Sequence, residues 1–98
     1  MIYNTITPCK KKKGFEGIPD EFYNVSLKEL RDSLITDLHS YTLVRETKVM
    51  LVLKEKEGDN KISIFPSCRV FVYGDLAKDE AKNIINTISK SVEKVIAS

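Results

Sequence analysis

Tryptophan is absent from the chain, histidine occurs once, cysteine twice, proline three times and glycine four times in 98 residues. Each scarcity excludes something. His39 is far from Cys9 and Cys68, and the two cysteines are far from each other, so the closely spaced ligand pairs of a structural zinc site are missing. No apolar run approaches the ~18 residues that cross a bilayer, which argues against a membrane partner. Residues 1–13 lack the apolar stretch of a secretory signal. The expected location is therefore cytoplasmic, with both thiols free. There is no glycine-rich phosphate loop, no Ser/His/Asp pattern and no acid–base constellation around His39. A non-enzymatic chain without catalytic residues, metal or cofactor is expected.

The composition that remains is that of an ordinary folded domain, 42% hydrophobic and 31% charged, with length for one core. Sixteen Lys and Arg against fourteen Asp and Glu give +2, but the single run Lys10-Lys11-Lys12-Lys13 supplies four of the sixteen. Without it, twelve basic residues face fourteen acidic ones, a net of −2. The basicity is one local patch on a slightly acidic body. Any attraction for phosphate is assigned first to Lys10, Lys11, Lys12 and Lys13. Cys9 beside them has two readings: a thiol whose pKa the lysines lower, or an ordinary loop residue.

Periodicity supplies the elements. Ile2-Tyr3-Asn4-Thr5-Ile6 alternates and is rich in β-formers, predicting a strand that stops before Pro8. Residues 8–25 hold two prolines, two glycines and the lysine run, and read as a long basic loop pinned to the body by Phe15, Ile18, Phe22 and Tyr23. Ser26-Leu27-Lys28-Glu29 is a capping-box pattern, and Leu27, Leu30, Leu34, Ile35 and Leu38 make one helical stripe to about His39. From Tyr41 the preference turns to β: residues 41–44 and 48–53, then 61–65 and 69–73 after turn residues. Ala81, Ile84, Ile85, Ile88, Val92, Val95 and Ile96 predict a second amphipathic helix. The order β-loop-α-β-β-β-α predicts an α+β domain with both helices on one face of an antiparallel sheet.

Period two also sorts the faces. Ile62, Ile64, Val70 and Val72 share the core side, and Lys61, Ser63, Phe65, Ser67, Arg69, Phe71 and Tyr73 share the other. Two outcomes are open for that second side. Left bare, it is a partly apolar interface; alternatively, the loop 8–25 folds over it and buries Phe65 and Phe71.

Residues 48–95 resemble one repeat of a TATA-binding protein. The likeness rests on Val49-Met50-Leu51-Val52-Leu53-Lys54, a polar turn, Ser63-Ile64-Phe65-Pro66-Ser67-Cys68-Arg69-Val70-Phe71-Val72-Tyr73-Gly74, and the acidic start Lys78-Asp79-Glu80-Ala81 of the last helix. The resemblance implies that Phe65 corresponds to a wedge between base pairs, Arg69 to a basic residue near phosphates and Tyr73 to a groove-facing position. It also has departures. Cys68 replaces a family glycine, Pro66 a small residue, and a second wedge phenylalanine falls near Lys48 or Val49. The family builds a saddle from two repeats, and this chain carries one.

Two functions follow from these features. The aromatic face binds another protein or pairs with a second copy, since aromatics and arginine are favoured at such interfaces. Alternatively, the chain is a single-repeat nucleic-acid binder acting as a dimer, with the lysine run on phosphates. The slightly acidic body, with only Lys61 and Arg69 charged on the face, favours the protein partner.

Overall fold

Alternating strands and two helical stripes resolve into two layers, a six-stranded sheet under a helix pair. The computed structural model describes residues 1–97. In chain order the elements are β1 (Tyr3–Pro8), β2 (Gly14–Pro19), α1 (Leu27–Asp37), β3 (Tyr41–Glu46), β4 (Leu51–Glu55), β5 (Lys61–Ile64), β6 (Val70–Tyr73) and α2 (Lys78–Ala97). Every pairing is antiparallel, and the sheet order is β1-β2-β6-β5-β4-β3. The α+β class and the helix placement are as expected from the sequence.

Six strands replace the four expected. The stretch 41–53 divides at a turn in which Thr47 Oγ1 accepts the Val49 and Met50 N–H groups. The larger correction lies in residues 8–25, which hold β2 as well as loop. Gly14, Gly17 and Pro19 hide this strand from pattern reading, because glycine and proline weaken a strand locally. It is recruited by a partner distant in sequence: Gly14 pairs with Tyr73, Phe15 with Val72, Glu16 with Phe71 and Gly17 with Val70. Gly17 is needed for close approach. A Cβ there would lie 2.9 Å from Val70 Cγ1, 3.2 Å from Tyr3 Cδ1 and 3.3 Å from Ile85 Cγ2.

The core fills the space between the layers. Leu30 and Leu34 of α1 and Ile85, Ile88 and Val92 of α2 are fully buried, together with Leu51, Leu53, Ile62, Ile64, Val70 and Val72 of the sheet. Ser26 caps α1 by accepting the Glu29 N–H at 3.4 Å. Ile35 and Ile96 are exposed although they follow the helical stripes. Ile18 and Phe22 do not pin the loop after β2; both are exposed, Phe22 wholly so. Tyr23 does pack against the core, and backbone bonds also hold the segment, from Asp20 N–H to the Ile2 carbonyl and from Val25 N–H to the Pro66 carbonyl.

One polar tie joins the helices. The Asp37 carboxylate of α1 accepts from Ser91 Oγ and from Lys94 Nζ of α2. The Ser91 hydroxyl, with Lys94 second, holds the Asp37 pKa below the usual carboxylate range. A depressed pKa contributes stability above the unfolded value, about 3.9, and loses it as pH falls through the folded value. Asp37→Asn is therefore expected to lower stability at pH 7, with the gap to the parent closing below about pH 4 in urea titrations. Gly17→Ala is expected to destabilise by about 1–3 kcal/mol in the same assay, because its methyl group must displace packed neighbours.

Candidate functional site

The helices cover one side of the sheet and leave the other bare. The strand register shows which side chains share that bare side. In one cross-strand row Thr42 pairs with Lys54, Lys54 with Lys61, Lys61 with Tyr73 and Tyr73 with Gly14. In the next, Arg45 pairs with Val52, Val52 with Ser63, Ser63 with Phe71 and Phe71 with Glu16. Phe65 and Arg69 lie beyond these rows, at the ends of β5 and β6. Most of segment 8–25 lies beside the face, with β2 extending the sheet sideways next to β6, while its tip reaches Tyr73.

A bulge decides the charge of this face. Leu43 pairs with Leu53 and Arg45 with Val52, so Val44 is the extra residue of β3. The insertion switches the alternation and brings Arg45 to the bare side. It also sends Glu46 to the helix side, where its Oε1 accepts from Arg31 Nη1 of α1 at 2.8 Å. Arg45, Lys54, Lys61 and Arg69 thus share one face, and Glu16 is the one carboxylate among the described strand residues there. Glu16 is held in an ion pair by Arg69. Glu57 and Asp59 belong to the turn between β4 and β5, at the rim. Lys54 and Lys61 stand directly opposite each other, an arrangement that destabilises a sheet.

The aromatic residues form a column. Phe71 and Tyr73 stack with ring centroids 5.8 Å apart and planes 6° from parallel, and Phe65 meets Phe71 edge-on at 6.0 Å. Two cations lie against the column: Lys12 Nζ is 5.1 Å from the Tyr73 centroid, at one end, and the Arg69 guanidinium is 5.5 Å from that of Phe71, the middle ring. Of the four lysines predicted for phosphate attraction, Lys12 joins the face directly, while Lys10, Lys11 and Lys13 are exposed on the same hairpin tip. The Lys13 carbonyl accepts the Gly74 N–H at 3.0 Å, which ties the tip to the end of β6. Between tip and rings lies a cleft of about 550 Å³, lined by Lys10, Lys11, Lys12, Arg69, Phe71 and Tyr73 among others.

Ser67 is the one predicted face residue outside the face. Pro66 and Ser67 occupy a tight turn closed by Cys68 N–H to the Phe65 carbonyl, and Ser67 Oγ accepts the Arg69 N–H. Cys68 follows the turn with φ +73, fully buried, and its carbonyl accepts from Tyr3 Oη. Burial pushes its thiol up to about 11. Lys48 and Val49, the positions nearest the second wedge of the family pattern, are both exposed in the turn between β3 and β4. The lysines do not activate Cys9: burial first, then the Glu16 carboxylate, raises its thiol pKa.

Sequence reading missed Arg45 and Lys54. Val52 and Lys54 alternate with Leu51 and Leu53, but the continuous apolar run 49–53 hides which side of the strand is bare. Arg45 had no such signal, because a bulge sets its direction. Among the described residues no helix is long and apolar enough to cross a membrane, and no three His, Cys, Asp or Glu gather as a metal site. Protein-family models, curated proteins and solved structures were each compared with the chain, and none matches. The opposed lysines generate a test of the register: Lys54→Glu is expected to stabilise the fold by about 0.2–1 kcal/mol, through a new cross-strand ion pair with Lys61. Thermal or urea unfolding measures it.

Proposed function

We propose that the chain is a non-enzymatic nucleic-acid-binding module that lays its bare sheet face against a sugar–phosphate backbone. The observation that carries this is the pair Lys54 and Lys61, opposite each other and without an ion pair among the described residues. Uncompensated like charges across a ladder cost stability, and a polyanion lying over them removes that cost. Arg45 and the lysine tip extend the positive surface, and Phe65, Phe71 and Tyr73 add faces and edges for bases or sugars.

The likeness of residues 48–95 to a TATA-binding-protein repeat supports the same function. Cys68, which stands where the family pattern carries glycine, holds a positive φ. Against pairing through sheet edges, both outer strands carry an irregularity in register, near Asn4 in β1 and at Val44 in β3. Bulged edges resist extension of the ladder. The proposed binder therefore does not associate through its sheet edges.

The aromatic column with its arginine also suits a protein partner. Salt dependence separates the two. Neutralising four or five phosphates gives a log–log slope of about −3 on single strands and about −4 on duplex. In anisotropy titrations between about 50 and 200 mM salt, such a slope is expected, and Lys61→Glu is expected to flatten it by about 1. Absence of binding at about 50 mM salt overturns nucleic acid as the ligand and leaves a protein as the partner.

A further inference from the structure

We infer that the cleft under the lysine tip selects unpaired nucleic acid, with one base stacked on Tyr73 in the place that Lys12 occupies. This rests on the nucleic-acid function proposed above and names the form of ligand. Three features point to it. The Phe71–Tyr73 pair presents near-parallel rings, 6° apart, and the face of a base stacks on such a platform whatever its sequence. A base in a duplex shows the grooves only its edge, its faces being hidden by its neighbours in the stack. Ring-on-ring contact with Tyr73 therefore requires a base that is unpaired and splayed out.

The second feature is the hairpin tip, which stands over the sheet next to Tyr73 and walls one side of the cleft. Lys12 is exposed and belongs to a run of four lysines, so it can leave the ring and meet a phosphate instead. A cation on an exposed ring is a weaker contact than a stacked base, so the exchange is favourable. The third is the direction of the charges. Lys54, Lys61 and Tyr73 follow one another across adjacent strands, spaced about 4.8 Å apart. A strand of nucleic acid crossing the sheet along this row meets two cations and then enters the cleft.

Anisotropy titrations of the full chain with labelled oligothymidine of about 12 nucleotides, and with a mixed-sequence duplex of equal length, test the inference. The single strand is expected to bind at least about tenfold more tightly than the duplex. Tyr73→Ala is expected to weaken single-strand binding about tenfold, with Tyr73→Phe close to the parent. Lys12→Ala, at an exposed site that folding does not depend on, is expected to flatten the single-strand salt slope by about 0.7. Duplex binding equal to or tighter than single-strand binding overturns this inference and leaves the nucleic-acid function standing. So does a folded Tyr73→Ala variant that binds the single strand like the parent. Failure of both oligonucleotides to bind overturns both.

Discussion

Everything about this molecule follows from two helices having one apolar sheet face to cover. Leu30, Leu34, Ile85, Ile88 and Val92 meet the inward residues of the strands. That contact fixes the register, because a slip of one residue would turn every strand's apolar set to water. The outward face is the complement of the same pattern. Its cations are gathered by the pairing that buries Ile62, Ile64, Val70 and Val72, and β2 can join only because Gly17 lets Tyr3, Val70 and Ile85 close over it.

Charge separation between the layers is a second consequence. Two carboxylates make long-range contacts with the helix layer: Asp37 with Ser91 and Lys94, and Glu46 with Arg31. Arg45, Lys54 and Lys61 make no ion pair among the described residues. A net charge of +2 says little about such a molecule. A modest total conceals a face on which Arg45, Lys54 and Lys61 stand together, and long-range attraction depends on the face.

Both helices and the class of fold were legible in the sequence, as was the inward set of β5 and β6, because repeated spacing reports burial directly. Strand β2 was not. Its pattern is broken by the glycines that let it pack, so the feature that makes it a strand in the fold removes it from a propensity reading. The aromatic part of the bare face was legible for the same reason as the core, with Ser67 lost to a turn. Its positive part was not, since Arg45 is aimed by a bulge and Lys54 was masked by an apolar run. Local alternation reports faces only while the ladder stays regular.

Cys68 makes a local turn depend on a distant part of the chain. A tight turn followed by a left-handed residue normally has glycine at that place, and then the turn favours its hairpin before anything else has formed. With a side chain there, the β5–β6 turn is locally costly and gains its stability only when the thiol is enclosed and Tyr3 Oη reaches the Cys68 carbonyl. Tyr3 belongs to the first strand and Cys68 to the last hairpin, so the turn is supported by a contact of long sequence separation. The hairpin bearing Phe65, Arg69, Phe71 and Tyr73 thus draws part of its support from the first strand, and the aromatic column depends on contacts between the two ends of the chain.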